Sequence, residues 1–313
     1  MKDALIKRKG FACAAAVFCT LLWGTAFPFI KLGYREFSID AGDTGGALLF
    51  AGLRFMLAGA LTLVFFSIKQ RRLAVPCKSE LAPVLLLGAV QTFGQYMFTY
   101  TGLSLTTSAN TSIITACASF FTVLAAPLFF KADRLTALKI GGCVIGFLGV
   151  PVMTRGVGFS SQTLLGDALI LGSTVFAAAG NLIAKKAAQG RDPVKITAWQ
   201  LLTGGAGLTA AGLALGGRLE LFNLRGALIL FWLATVSAAA FSVWTALLKH
   251  HPAGRISVFN LLVPVFGTAL SGILAGEDVF RPELLIALGM IVVGIILVNI
   301  TGKGEKNDKG RNI

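Results

Sequence analysis

The sequence has few charged residues and few groups that could perform chemistry. Only 13% of its 313 residues are charged, against about 25% in a typical soluble domain. It has two histidines and five cysteines, and the cysteines form no CxxC pair. This composition argues against a water-soluble fold, a disulfide framework and a zinc cluster. We expect no metal, no cofactor and no enzymatic activity, because no nucleophile or acid–base pair occurs at a suitable spacing.

Long apolar runs make up most of the chain instead. Since a membrane span needs about 20 apolar residues, we predict ten spans, and they lie at 11–33, 45–68, 82–103, 107–130, 136–154, 164–187, 194–216, 226–248, 254–275 and 282–301. The runs lack the alternation of barrel strands, and the loops are too short for a soluble domain. The predicted fold class is therefore an all-α integral membrane protein with ten transmembrane helices.

The net charge of +14 would suit nucleic acid binding, but the positions of the basic residues indicate membrane topology instead. With the N-terminus in the cytoplasm and ten spans, 21 of the 28 Lys and Arg residues fall on the cytoplasmic side and six on the other. This asymmetry follows the positive-inside rule. We therefore predict cytoplasmic N- and C-termini and no nucleic acid partner, and we interpret the first apolar run as a retained span rather than a signal peptide.

Two stretches suggest an internal repeat. SANTSIITACASFFTVLAAPLFFKAD (108–133) and AGRISVFNLLVPVFGTALSGILAGED (253–278) align without gaps, so that Phe266 falls on Phe121 and Asp278 on Asp133. The halves 1–155 and 156–313 then read as two five-helix repeats, and because five is odd the second repeat is inverted in the membrane. The alternative is a chance similarity between apolar helices.

Three motifs resemble the EamA-type transporters of the drug/metabolite transporter superfamily: WGTAFPFIKLGY in the first span, GLRFMLAGALTL in the second and SVFNLLVPVFGTALSGILAGE in the ninth. The resemblance implies ten helices in two inverted repeats and a carrier in the bacterial inner membrane that exports amino acids or related small metabolites through a cavity between the halves. Two positions depart from the pattern. Ser119 stands where the second repeat has Pro264, and Phe176-Ala177 replaces a tryptophan-alanine pair of many members.

The expected function is therefore export by alternating access, with a small-molecule substrate and the lipid bilayer as partners. The alternatives are a passive channel-like facilitator and a non-transporting membrane scaffold. The fifth and tenth spans carry spaced glycines. Such glycines favour close helix contacts, either within one chain or across a homodimer.

Polar and aromatic residues inside the spans are the candidates for substrate binding, because buried polar groups are costly in a bilayer. The alternative for each amide is a hydrogen bond that joins two helices, and for each tryptophan an interfacial anchor. The predicted substrate-binding residues are Trp23, Gln91, Gln95, Tyr96, Asn110, Asn181, Trp244 and Asn260.

Four further residues are predicted to act in gating or through charge. Pro28 is expected to bend the first span, and Pro264 to free the carbonyl of Asn260 by removing its helical donor. Lys31 is expected to snorkel to the outer surface or to guard the outer opening. Arg54 lies inside the second span, where it could gate, bind a substrate anion, pair with an acid or snorkel outward.

Overall fold

The computed structural model of the chain describes residues 3–71, 75–130, 135–154, 161–219, 224–276 and 278–304. Over these ranges the regular secondary structure is helical throughout, without a β-strand. Helices satisfy their own backbone hydrogen bonds, which is what a chain with so few polar side chains requires in lipid. The predicted all-α class is thus confirmed.

The first half contains five helical segments after a short turn of helix at Asp3–Ile6. They are α1 (Lys9–Glu36), α2 (Thr44–Gln70), α3 (Lys78–Leu87, π-helical Gly88–Gly94, then Gln95–Leu105), α4 (Ser108–Ile114 and Cys117–Phe129) and α5 (Ala137–Thr154). The second half follows with α6 (Ser161–Ala188), α7 (Pro193–Ala214), α8 (Leu224–His250), α9 (Ala253–Ser257, 3₁₀-helical Val258–Leu262, then Val263–Ala275) and α10 (Pro282–Gly304).

Seven of these helices are long and apolar enough to cross a membrane: α1, α2, α3, α4, α6, α8 and α9. In α5 and α10 the apolar stretches are shorter, Ala137–Gly149 and Leu285–Val298, and α7, a 22-residue helix, is not among the seven. Each predicted apolar segment therefore coincides with a helix. The count of ten membrane crossings stays a prediction.

Polar residues at the N-termini fix where several helices begin. The Asp43 carboxylate accepts the Gly46 N–H at 2.9 Å, and the Thr107 hydroxyl accepts the Asn110 N–H at 3.0 Å. Asp192 accepts the N–H of Val194 at 2.8 Å at the start of α7. Each side chain satisfies a donor that the first turn of a helix leaves unpaired.

Glycines allow the closest helix crossings. A Cβ built on Gly205 of α7 would lie 2.7 Å from the backbone nitrogen of Met56 in α2. One on Gly142 of α5 would lie 2.8 Å from the carbonyl oxygen of Gly294 in α10, whereas Gly141 and Gly289 have nothing within 4 Å. Gly142 and Gly294 thus pack against each other within one chain, which is one of the two alternatives left by the sequence.

The two helices that contain the predicted hinge prolines, α1 with Pro28 and α9 with Pro264, differ in their regularity. α1 continues as one helix through Pro28. A Cβ on Gly24 would lie 2.6 Å from that of Phe266 in α9, so the two helices approach closely there. Before Pro264 the chain forms a 3₁₀ segment, in which the Val263 N–H donates to the Asn260 carbonyl. The expectation of a free Asn260 carbonyl is therefore wrong, because the tighter 3₁₀ turn supplies a donor three residues on.

Candidate functional site

A cavity lies where α1, α2, α3, α4, α6, α8 and α9 meet. Its volume is about 90 Å³, counted as space open to the centre of a water molecule, which is room for several waters or a small solute. Seven of the predicted functional residues border it: Trp23, Arg54, Gln91, Gln95, Tyr96, Asn181 and Asn260. Helices from both halves of the chain therefore contribute to this one cavity.

Aromatic rings form much of the wall. The ring of Trp23 meets that of Phe241 edge-on, with centroids 5.5 Å apart, and that of Trp244 at 4.9 Å. Tyr96 packs on Phe55 with centroids 4.3 Å apart, and both of these rings also meet Phe241 edge-on. Such contacts hold large side chains in fixed positions, so the cavity keeps a defined shape.

Three polar atoms at the wall have no hydrogen-bond partner in the described part of the chain. They are Nε1 of Trp23, Oε1 of Gln91 and Oδ1 of Asn260. Leaving a buried polar atom unpaired costs about 1–3 kcal/mol. The three atoms are themselves enclosed, so a polar solute in the cavity would relieve that cost once these side chains turn toward it.

The backbone of α3 changes its winding where its two glutamines lie. Gln91 is inside the π-helical segment Gly88–Gly94, and Gln95 begins the α-helix that follows. Both side chains border the cavity. The two side chains therefore share the side of α3 that faces the cavity, although the residues do not belong to one regular α-helix. Isolated π turns frequently mark functional sites in helices.

Asn181 and Trp244 form a buried pair beside the cavity. Trp244 Nε1 donates to Oδ1 of Asn181 at 3.1 Å, and the amide nitrogen of Asn181 donates to the Thr122 hydroxyl at 3.4 Å. Trp244 is 1% exposed and lies outside the set of described residues that border the cavity. The structure therefore places Trp244 behind the wall, where it orients Asn181, and not on the predicted binding surface.

Arg54 is deeply buried, at 1% exposure. Its Nε donates to the Ser237 hydroxyl at 3.0 Å and to the Leu233 carbonyl at 3.3 Å, and its Nη1 donates to the Tyr100 hydroxyl at 2.6 Å. The guanidinium carbon also lies 4.9 Å from the centroid of the Phe55 ring. Arg54 thus borders the cavity and does not snorkel to the surface.

Asn110 belongs to a different cluster. It is fully buried, and its amide nitrogen lies 3.4 Å from both the Asp167 carboxylate and the Thr106 hydroxyl. The Thr106 hydroxyl also donates to Asp167 at 2.6 Å. These bonds join the α3–α4 corner to α6, whereas Oδ1 of Asn110 has no partner among the described residues. Asn110 thus lies in a contact between helices, outside the set of described residues that border the cavity, and its substrate contact stays a prediction.

The remaining predicted residues also lie outside the set of described residues that border the cavity. Pro28 is buried within α1, and Lys31 is half-buried one turn further on. Pro264 is buried at the start of the last segment of α9. Their gating roles stay predictions.

Several cavity residues were not singled out in the sequence, including Thr99, Thr115, Ser173 and Thr174. The Ser173 hydroxyl donates to the Ile170 carbonyl at 2.7 Å, and that of Thr174 to the carbonyl one turn before it at 2.6 Å. Such hydroxyls donate to a backbone carbonyl of their own helix. Nothing in the sequence therefore distinguishes a Ser or Thr at the cavity from one that faces another helix. Thr115 is different, because the gapless alignment of the two repeats pairs it with Asn260.

No cluster of three or more His, Cys, Asp or Glu side chains able to hold a metal occurs in the ranges that the structure describes. The chemistry of the wall is that of hydrogen bonding, aromatic contact and one cationic group. This set can bind a solute.

Comparisons with known proteins agree with a membrane fold. The chain is 26% identical to a probable amino-acid metabolite efflux pump of Salmonella typhimurium over 92% of this chain and 94% of that protein. It is 26% identical to an uncharacterized inner membrane transporter of Escherichia coli over 90% and 88%. A crystal structure of another protein superposes with a TM-score of 0.72 at 20% identity, covering 94% of this chain and 99% of that one, which establishes the fold alone.

The sequence profile of the EamA-like transporter family matches the chain twice, at residues 10–155 and at residues 164–300. Together the two matches cover most of the chain, and seven of the described helices are suited to crossing a membrane. The chain is therefore a multi-pass membrane protein that belongs to the EamA-like transporter family.

Proposed function

We propose that the protein exports small metabolites, such as amino acids or related compounds, across the bacterial inner membrane by alternating access. The observation that carries the proposal is the cavity between the halves, with its unpaired polar atoms on Trp23, Gln91 and Asn260. The names of the relatives from Salmonella and Escherichia coli support export and the inner membrane.

The proposal includes two inverted repeats, 1–155 and 156–313, and the helix pairings support them. α1 packs on α8 and α9, and α6, the corresponding helix of the second half, packs on α3 and α4. The equivalent helices α2 and α7 pack on each other, as do α5 and α10. A pseudo-two-fold axis between the halves would generate this reciprocal pattern, and the substrate site of such transporters lies near that axis.

The two broken helices add a second argument for the repeat. α4 is interrupted between Ile114 and Cys117, and α9 becomes 3₁₀-helical at Val258–Leu262. A shift of 145 positions, the spacing of the gapless alignment, superposes these two interruptions. The same shift pairs Thr115 with Asn260 and Ala118 with Val263, and all four residues border the cavity. This agreement in position supports the repeat over a chance similarity between apolar helices.

Alternating access requires contacts between the halves that can break on one side at a time. Toward the predicted outer ends, the Thr106 hydroxyl at the α3–α4 corner donates to Asp167 of α6 at 2.6 Å. Toward the predicted inner ends, the Asn181 amide of α6 lies 3.4 Å from the Thr122 hydroxyl of α4. Breaking the outer contact while the inner contact persists would open the cavity to the outside. Breaking the inner contact while the outer contact persists would open it to the cytoplasm.

The test is counterflow in proteoliposomes that contain the purified protein, screened over amino acids, nucleosides and organic acids. We expect saturable flux and counterflow for at least one solute. Gln91→Ala should lower that flux about tenfold, since it removes an unpaired buried amide that a solute would satisfy. Gln189→Ala is the matched control, because Gln189 is exposed and lies outside the cavity.

The outcomes separate the candidate functions. Linear flux without counterflow would indicate a channel-like facilitator, and no flux with any solute would indicate a scaffold. Equal flux in the Gln91→Ala variant and the wild type would contradict the placement of the binding site.

A further inference from the structure

We propose that the transported solute carries a carboxylate and that Arg54 binds it, a step that rests on the proposed transport function. The proposal names both a substrate class and a binding residue. It is carried by the single charged side chain among the described residues that border the cavity, by the hydrogen-bonding capacity left on that side chain, and by the unpaired acceptors of Gln91 and Asn260.

The charge of the cavity has one sign. Of the described residues that border it, Arg54 is the one with an ionisable acid or basic group that is charged at neutral pH. No carboxylate forms an ion pair with it in the described ranges. An arginine keeps its charge when buried, and a buried charge without a counter-ion is costly. A solute anion would supply the missing counter-ion.

The guanidinium of Arg54 also has N–H donors that no described residue accepts. Nε shares its proton between Ser237 and Leu233, and Nη1 uses one proton on Tyr100. One proton on Nη1 and both protons on Nη2 have no acceptor among the described residues. A planar fork with free protons on both terminal nitrogens matches the two oxygens of a carboxylate.

The three existing bonds hold the fork in place. They come from α3 and α8, whereas Arg54 lies on α2, so the guanidinium is anchored on two neighbouring helices and fixed by the Phe55 ring at 4.9 Å. Each anchor is a neutral dipole that stabilises the cation without neutralising it. An anchored, un-neutralised cation is preorganised for binding an anion.

The remaining polar atoms of the cavity suit the other end of an amino acid. Oε1 of Gln91 and Oδ1 of Asn260 are acceptors without a donor, and an ammonium group carries three N–H donors. A zwitterion could therefore be held at both ends. An amine without a carboxylate would bring a second positive charge near Arg54, and we expect the cavity to reject it.

Binding is measured first, as the shift of the melting temperature of the detergent-purified, full-length protein. The probes are the proteinogenic L-amino acids and short monocarboxylates, each tested beside its primary amide. We expect at least one acid to stabilise the wild type while its amide does not. The Arg54→Gln variant should bind that acid about tenfold or more weaker, the effect of losing one charge-assisted hydrogen bond, and should bind acid and amide alike.

Two further variants keep the result interpretable if Arg54→Gln unfolds. Ser237→Ala removes an anchor of the guanidinium but leaves the charge, so the preference for the acid should persist. Arg54→Lys keeps the charge without the fork, so the preference should persist with a lower affinity. A purely structural role of Arg54 would instead weaken acid binding equally in Arg54→Gln and Arg54→Lys, with no dependence on the charge that Arg54→Lys retains.

The inference is overturned if no acid stabilises the wild type, if amides bind as well as acids, if Arg54→Gln keeps the full preference, or if Arg54→Lys loses it. Counterflow with the same acids then separates this inference from the proposed function. Saturable flux of solutes without a carboxylate would leave transport intact and reject the role of Arg54. Binding of acids without any flux would reject transport and keep the binding site.

Discussion

The crossing of α5 and α10 allows a sharp test of the packing, because two adjacent glycines differ completely in their surroundings. A Cβ on Gly142 would lie 2.8 Å from the Gly294 carbonyl oxygen, 2.9 Å from a methyl of Val298 and 3.1 Å from the Cβ of Leu297. The nearest of these is backbone and cannot rotate away. A Cβ on Gly141 would meet nothing within 4 Å.

Ordinary van der Waals contact begins at 3.4 Å, so Gly142→Ala must move the two helices apart by about half an ångström along the crossing. Overpacking of this kind costs about 1–3 kcal/mol of unfolding free energy. Gly141→Ala adds a methyl in open space and gains helix propensity of up to about 1 kcal/mol. Both substitutions gain the same helix propensity, which cancels in the comparison, so the two variants should differ in stability by about 1–3 kcal/mol, although they add the same atoms to the same helix.

The assay is reversible unfolding of the purified protein in mixed micelles by a denaturing detergent, followed by circular dichroism. None of the described residues that border the cavity comes from α5 or α10, so solute affinity should be unchanged in the folded fraction of both variants. Equal stability of the two variants would refute the close contact of α5 with α10, as would a greater loss for Gly141→Ala. Loss of solute affinity in Gly142→Ala alone would refute the separation of this crossing from the cavity.

Two further predictions concern a buried hydrogen bond and the orientation of the chain. Trp244→Phe leaves Oδ1 of Asn181 without its donor and should lower the unfolding free energy, measured in the same assay, by about 1–3 kcal/mol. The control Trp232→Phe, at an exposed position, should lower it by less than about 0.5 kcal/mol. Equal losses in the two variants would mean that the bond to Asn181 contributes nothing to stability. A fluorescent reporter fused after residue 313 should be cytoplasmic, as the distribution of Lys and Arg residues predicts, and an external reporter would contradict ten spans with an internal N-terminus.

The cost of polar groups in a bilayer made much of the cavity predictable. Gln91, Gln95 and Asn181 were singled out because each places an amide within an apolar run, and all three border the cavity. Trp23 follows from the same argument, since its polar tip lies far from the ends of its helix. Sequence reasoning works here because an apolar helix leaves a polar side chain few places other than the protein interior.

The same signal could not separate a solute contact from a contact between helices. Asn110 and Trp244 are as buried as the wall residues, but the amide nitrogen of Asn110 bonds to Asp167 and the indole nitrogen of Trp244 bonds to Asn181. Which partner an amide finds depends on the helix opposite, and nothing in a single sequence states which helices face each other. The surroundings of Arg54 were beyond prediction for the same reason, because its anchors lie on α3 and α8.

Irregular backbone was the feature least accessible from the sequence, and it lies at the cavity. Gln91 sits in the π-helical part of α3, Thr115 in the interruption of α4, and Asn260 in the 3₁₀ part of α9. Pro264 predicts an irregularity in α9 alone. Its counterpart Ser119 donates to the carbonyl of Ser257 at 2.6 Å, which ties the second segment of α4 to the residue that immediately precedes the 3₁₀ part of α9. Irregular helix turns cost stability in a bilayer unless they line a cavity or are covered by protein. Their convergence on one chamber, from both halves of the chain, is therefore an argument for the binding site that does not depend on any side chain.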